Sequence, residues 1–523
     1  MTIRFGIANK QSFTVWHSQN HWGPLPLQKN IKSLSVTLKS HLRYSSPVIH
    51  CLFLLILTYI LFHQNFYHDW SIDDFGVLVN NPDTKSLSGF FDDTRPGRPL
   101  RELTFLLDFV FFGNNPYGYH FQQLFWHALN AILIYLLARK LFSKDLPAFF
   151  GALLFLVHPL NVEVVANISN RKDSLSLAFS ILSVLVFGLA HQSQKSRRLM
   201  LFLGSAIFYL IACQAKQNAI LVPFLWLAYE YRFISPGQRL LARLSPIKSL
   251  IVLFGLGCIA YGWKLVSIGG IRELQLNAWE IISRANFYPK PDLTDYTLLL
   301  LKSWGTMLPK MIWPVNLAPA YAIPSPDTWF EFPVVLSIIT IIAVITILFH
   351  SGKQQNSNVF FALVWCLVFW LPVSNLWPSA MLAADRYWYA VLPGLIFLFL
   401  HATREAVENY RKTSVALITC ICIFYAFLSF HQSQLWINNA VLWEHSLAVN
   451  PDSSVSNHNM GITLYLKGKP KKAIEYLNKT LSLSPYDQKC YYNMYLIFTD
   501  LGQRSLAQEA LEKSRRPPPW KSH

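Results

Sequence analysis

The chain reads as an all-α, polytopic membrane protein followed by a short helical repeat, and three observations predict this. Of its 523 residues 53% are hydrophobic and only 14% charged, where a soluble protein carries about a quarter charged residues. Apolar runs close to the ~20 residues that cross a bilayer recur along the sequence. The last part of the chain repeats itself with a fixed period. Lipid offers no partners for backbone N–H and C=O groups, so spans of this kind close their hydrogen bonds internally as helices.

The first run, Val48 to Phe62, follows a segment (1–46) with Arg4, Lys10, Lys29, Lys32, Lys39 and Arg43 and no acid. The positive-inside rule puts that segment in the cytoplasm. The run lacks a convincing small-residue cleavage site and reads as an uncleaved span. Leu100 to Phe112 is short and carries Arg101, Glu102 and Asp108, which suits an interfacial or buried amphipathic helix. Further spans follow at 121–141, 148–167, 174–190, 199–215, 218–231 and 249–266. The segment 298–313, with Lys302, Pro309 and Lys310, reads as interfacial or re-entrant. Spans at 333–349, 360–371, 387–400 and 414–430 complete a set of about 11. Basic loops alternate with the runs and place the first loop and the C-terminal part outside. The domain organisation is then a basic segment (1–46), a transmembrane domain (47–432) with an outer loop (64–118), a repeat region (437–516) and a basic tail (517–523).

In the repeat region Pro451 recurs as Pro485, Asn459-Met460 as Asn493-Met494, Gly468 as Gly502 and Ala473 as Ala507. The spacing of 34 is the tetratricopeptide period, a pattern of helical hairpins that serve mainly as docking surfaces. The net charge of +17 sits largely in short loops between apolar runs, a pattern of topology signals and lipid contact. Nucleic acid is therefore not an expected partner. The seven cysteines give no disulfide framework.

Chemistry-bearing residues concentrate at the outer boundary. Asp73 and Asp74 are adjacent carboxylates just beyond the first span, where a low dielectric and mutual repulsion push protonation equilibria apart. They suit a general base or half of a divalent-metal site, with an ordinary solvated loop as the competing reading. His158-Pro159-Leu-Asn-Val-Glu163 kinks a span near the outer boundary, and Arg171 follows as a possible partner for Glu163. Arg386 with Tyr387 opens a later span, either as a snorkelling belt or as a phosphate clamp. Lys216, Arg98 and Arg101 invite the same pair of readings. Ionisable residues at spans are costly and are functional candidates for that reason.

Several segments together resemble the family of transmembrane, tetratricopeptide-bearing O-mannosyltransferases: Asp73-Asp74 with Asn80-Asn81-Pro82, Gly97-Arg98-Pro99-Leu100, Asn115-Pro116-Tyr117-Gly118-Tyr119-His120, His158 to Glu163, Asn170-Arg171-Lys172-Asp173, and Leu371-Pro-Val-Ser-Asn375 with Asp385-Arg386-Tyr387. The match runs in order from about 65 to 516. Departures are Gln217 after Lys216, where the family usually has an acid, and Asp385, where glutamate is commoner. The resemblance implies a GT-C fold and transfer of a sugar from a polyprenyl-phosphate donor on the non-cytoplasmic face, with inversion, to a hydroxyl of a protein or glycan. It implies Asp73 or Asp74 as the catalytic carboxylate, Glu163 and Arg171 as lining of the outer cavity, Arg386 as a ligand for the lipid phosphate, and no required cofactor, with a divalent metal possible. The residue-level reading adds Arg98, Arg101, His158, Lys216 and Tyr387 to the expected substrate- or phosphate-binding residues. A bacterial inner membrane with periplasmic repeats is the expected setting. A scaffold recruiting envelope proteins through the repeats, or a lipid-linked-sugar transporter, are the alternative functions. The expected geometry is one outward hollow shared by Asp74, Glu163 and Arg386.

Overall fold

The computed structural model describes residues 47–92, 98–235, 255, 257, 292–326, 328–353, 357–376 and 381–516. The basic segment 1–46, the expected span at 249–266 (apart from residues 255 and 257) and the tail 517–523 lie outside the described residues, so the expected span count is not settled by them.

The described part is helical, with no strand among its residues. Among the described residues five helices are long and apolar enough to cross a membrane, and six if one bent pair is a single span. In order, α1 is Pro47–Leu61, α2 Pro99–Phe112, α3 Pro116–Phe142, α4 Asp145–Val157, α5 Val162–Ala166, α6 Arg171–Gln192, α7 Lys195–Ala215 and α8 Pro223–Phe233. After the gap come α9 Leu293–Met307, α10 Phe332–Lys353, α11 Ser357–Trp370, α12 Leu392–Ala402 and α13 Arg411–Gln434. Among these, α1 and α12 are shorter apolar helices, as is the stretch Asn358–Val373. The segment read as interfacial forms α9 and then a 3-10 turn at Leu308–Met311, where Pro309 cannot extend the helix.

Prolines and asparagines decide several helix starts. Pro99, Pro116 and Pro223 stand in the first turn of α2, α3 and α8, where a missing N–H costs nothing. Asn115 caps α3 by accepting from the Tyr117 amide. The expected kink at His158-Pro159 is present as a 53° bend between α4 and the helical stretch Pro159–Ala166. His158 is held extended ahead of the proline, and the Asn161 side-chain Nδ2, donating to the Phe155 carbonyl at 2.6 Å, reinforces the long bond of 3.4 Å that this carbonyl accepts from the His158 amide at the bend.

Beyond α13 come α14 Asn439–Val449, α15 Ser454–Leu466, α16 Pro470–Leu483, α17 Gln488–Asp500 and α18 Arg504–Arg515. Two hairpins, α15/α16 and α17/α18, turn at Gly468 (φ 70°) and Gly502 (φ 71°), a left-handed conformation that glycine adopts without strain. At Gly461 a Cβ would stand 2.9 Å from Leu477, so the missing side chain lets α15 and α16 approach. The outer hairpins share a small core of Ala473, Leu477, Cys490, Met494 and Ile497. Trp436, Leu442, Trp443 and Met460 instead join the core of the apolar helices, so α14 and α15 belong to that body.

Candidate active site

The first loop is pinned at both ends of its acidic turn. The Asp69 amide donates to the Ile437 carbonyl at 3.0 Å, tying the loop to the chain beyond α13. Ser71 and Asp74 then form a capping box: the Asp74 amide donates to the Ser71 carbonyl, and Asp74 Oδ2 accepts from the Ser71 amide at 2.9 Å and its hydroxyl at 2.8 Å. Asp74 Oδ1 accepts from the Ser169 amide at 2.8 Å. Asp74 is 1% exposed. Burial, with a smaller contribution from the Asp73 charge, raises it to about 6 against the hydrogen bonds that oppose the shift. Every acceptor of Asp74 faces protein; its neighbour is open. Asp73 is exposed and lines a cavity of about 100 Å³ together with Glu163, Asn167 and Arg386. The shared hollow expected from the sequence therefore exists with Asp73 in the place expected for Asp74.

Glu163, at the start of α5, grips Arg386 twice: Oε2 accepts from the Arg386 amide at 2.8 Å and Oε1 from its guanidinium. Burial opposes the charge on Arg386, but Glu163 outweighs it and raises the pKa. The preceding Asp385 accepts from the Tyr321 hydroxyl at 2.7 Å, and burial followed by the Glu163 charge pushes it well above the usual carboxylate range. Tyr387 donates to the Met381 carbonyl at 3.1 Å and sits under the ammonium of Lys216.

Behind Arg386 lies a group of cations. Arg98, Arg101, Lys172, Lys216 and Arg386 act electrostatically on one another. Three have acid partners: Arg101 pairs with Glu102 at 3.3 Å, Lys216 with Asp173 at 2.5 Å and Arg386 with Glu163. Arg98 and Lys172 form no ion pair among the described residues. Lys172 donates only to the Ser169 carbonyl and Asn170, and the Arg98 Nε is buried without a partner. Burial first, and then the Arg101 charge, push Arg98 down to about 10, still cationic at neutral pH. Asp173 favours the charge on both without bonding either, and Glu102 that on Arg98; buried cations so weakly compensated are costly unless an anion arrives to share them.

Two expected site residues are placed elsewhere. Arg171 does not line the hollow and does not pair with Glu163. It is fully buried, pairs with Asp108, donates to the Tyr119 carbonyl at 2.8 Å and stacks 4.7 Å from the Phe105 ring. All three of its guanidinium nitrogens are used in joining α2 and α3 to α6. His158 is spent on the bend, Nδ1 accepting from the Leu160 amide and Nε2 bonding the Met311 carbonyl at 3.1 Å. In the sequence Lys172 stands out only inside a motif, Trp443 and Asn459 only as part of the repeat, and Tyr321 and Trp436 not at all; Trp436, Trp443 and Asn459 line the same cavity. These lie far from Asp73 in the chain, so spacing gave no signal. Among the described residues no three His, Cys, Asp or Glu side chains are grouped to hold a metal ion.

A model of the dolichyl-phosphate-mannose-protein mannosyltransferase family matches residues 102–263. The chain is 22% identical over 451 residues to protein O-mannosyl-transferase TMTC3 of Homo sapiens, covering 80% of this chain and 48% of the relative. It is 22% identical over 473 residues to protein O-mannosyl-transferase F38B6.6 of Caenorhabditis elegans (85% and 64%) and 23% identical over 489 residues to protein O-mannosyl-transferase TMTC1 of Homo sapiens (83% and 55%). It thus spans about half the length of the human relatives it matches. Among solved structures it is similar to the Archaeoglobus fulgidus oligosaccharyltransferase tethered with an acceptor peptide, at 12% identity and a TM-score of 0.42, covering 84% of this chain and 59% of that one. That likeness is too slight to carry argument. The sequence matches support the resemblance read from the motifs: over some four-fifths of its length this chain is similar to the protein O-mannosyl-transferases.

Proposed function

We propose that the protein is a GT-C-type membrane glycosyltransferase, with about 11 spans and a tetratricopeptide array, that moves a sugar from a polyprenyl-phosphate carrier to an acceptor hydroxyl on the non-cytoplasmic face. The observation that carries this reading is the convergence of Asp73, Glu163 and Arg386 on one cavity, with Arg98 and Lys172 left without acid partners behind it.

Asp73, open to the cavity, takes the proton of the acceptor hydroxyl as its oxygen attacks the anomeric carbon from the face opposite the phosphate. The bond from the anomeric carbon to the phosphate oxygen breaks, and the electron pair leaves with the polyprenyl phosphate. An oxocarbenium-like transition state places positive charge on the sugar while the leaving phosphate gains negative charge. Arg386, held by Glu163, and Arg98, which has no ion-pair partner among the described residues, meet that growing charge from fixed positions, with Lys172 as a further donor beside them, which costs little reorganisation at the moment of reaction. Asp74 is a positioning residue: its capping box and its bond to Ser169 set the turn that presents Asp73.

The test is transfer by the full-length protein in proteoliposomes containing mannosyl-phosphoryl-polyprenol, with a Ser/Thr peptide library read by mass spectrometry. Hexose addition that is abolished by Asp73→Asn supports the assignment. Transfer at the wild-type rate by Asp73→Asn and by Arg386→Lys overturns it. A scaffold or transporter has no such transfer and would tolerate both changes.

A further inference from the structure

A second cavity, of about 470 Å³, opens between the segment around Tyr321 and the start of the C-terminal helices, and it shares Met381 and Val455 with the cavity that holds Asp73. One wall is the irregular segment 320–325; the other is the turn from Val449 to Val455 between α14 and α15. Its volume lies within the range of ordinary ligand sites.

The first wall has an unusual backbone. Pro324 and Pro326 bias Ile323 and Ser325 toward extended conformations, and Pro324 has no N–H to donate. Among the described residues the backbone groups of Ala320, Tyr321, Ala322, Ile323 and Ser325 make no hydrogen bond to protein. Ala322 and Ile323 are half-buried, a place where backbone donors and acceptors ordinarily find partners. On the opposite wall the Asn450 Nδ2 is buried and also has no partner. Donors and acceptors on both sides of the cavity are thus unspent.

The segment is also tied to the catalytic corner. The Tyr321 hydroxyl donates to Asp385 at 2.7 Å and accepts from the Ala318 amide at 3.1 Å, and Lys310 stands 5.1 Å over its ring. Asp385 adjoins Arg386, whose backbone amide is bound by Glu163. Whatever lies along 320–325 is therefore held in register with Arg386 and Glu163 through a short chain of bonds.

We propose that this cavity is the acceptor site, and that it takes an extended polypeptide whose main chain pairs with the free edge at 320–325 while Asn450 donates to one of its carbonyls. Pairing of this kind supplies affinity through the backbone and leaves side-chain choice to the pockets beside it, so many Ser- or Thr-bearing sequences would fit. A polypeptide suits the cavity better than a glycan because its main chain repeats donor and acceptor along one edge, as the unpaired backbone groups of 320–325 do on this wall. The proposal rests on the glycosyl-transfer reading and specifies its acceptor.

The test is fluorescence anisotropy with the full-length protein in nanodiscs and labelled twelve-residue Ser/Thr peptides, without donor. Saturable binding is expected, weakened at least tenfold when alternate peptide amides are N-methylated, and weakened similarly by Asn450→Ala. Ala322→Pro, which deletes one edge N–H, is expected to do the same; if that variant unfolds, the N-methylated peptide alone decides, because it leaves the protein untouched. Equal binding of methylated and unmethylated peptides, displacement by free mannan oligosaccharide, or no saturable binding by any peptide overturns the proposal. Intact peptide binding without sugar transfer counts against the chemistry assigned to Asp73 and leaves this site standing.

Discussion

Two buried arginine–carboxylate pairs, built from the same chemistry, serve opposite ends. Arg171 and Asp108 are 0% exposed, and the guanidinium spends its remaining donors on Thr104, Tyr119 and Gln123. Arg386, with its side chain 18% exposed, donates to Glu163, and its second terminal nitrogen meets only the weakly accepting Met381 sulfur at 2.9 Å. In the first pair every guanidinium nitrogen bonds protein, and the pair locks helices together. The second keeps donor capacity at a cavity wall. Charge type and sequence context do not separate them; the count of unspent donors does.

The sharpest break in this comparison is at the base itself. Asp73→Asn is expected to lower the transfer rate by about 10³-fold, within the range for loss of a general base, while thermal unfolding in detergent stays within ~0.5 kcal/mol of wild type because the side chain is exposed. Next comes one substitution made at both pairs. Arg171→Lys leaves several buried acceptors unmatched and should cost ~3 kcal/mol of stability. Arg386→Lys keeps a charge for Glu163 and should leave the melting point nearly unchanged while transfer falls about 10²-fold. If Arg171→Lys melts like wild type, or Arg386→Lys unfolds the protein, the division between lock and site is wrong.

A smaller effect sharpens the argument about unspent charge. Lys172 donates only to Ser169 and Asn170, and its electrostatic neighbours are the cations Arg98, Arg101 and Arg386 against one acid, Asp173. Lys172→Met is expected to raise stability by ~1 kcal/mol and to weaken donor use about tenfold, measured as the KM for the lipid-linked sugar. A loss of stability with an unchanged KM would make Lys172 a structural residue.

Much of this was legible in the sequence, for reasons that differ by region. Apolar runs and the spacing of Gly468 and Gly502 gave helices and hairpins, because each rests on local periodicity. The bend at His158-Pro159 was legible because proline acts on its own backbone. The site was legible only to its neighbourhood. Asp73 and Asp74 differ in nothing but direction on a turn, and the capping box that turns Asp74 inward depends on Ser71 three residues before it, a signal present and not used. Arg171 looked like a cavity residue because its partner Asp108 sits on another helix, at a separation no pattern marks. Trp443 and Tyr321 reach the corner through tertiary packing alone.

The last prediction concerns that inward carboxylate. Burial raises Asp74 to about 6, above its value in the unfolded chain, so between those values the folded protein holds a proton that the unfolded chain has released. Stability from this group is therefore fullest at acid pH and is lost as pH rises through about 6. Between about pH 5 and pH 7 the loss amounts to ~1 kcal/mol. Asp74→Asn removes the titration, so the difference in unfolding free energy between wild type and variant should shift against the wild type over that interval. A difference that stays flat with pH would mean that Asp74 is ionised throughout, its hydrogen bonds from Ser71 and Ser169 outweighing burial. The turn would then present Asp73 from a fixed anion, and the contrast between the inward and outward carboxylates would be one of direction only and not of charge.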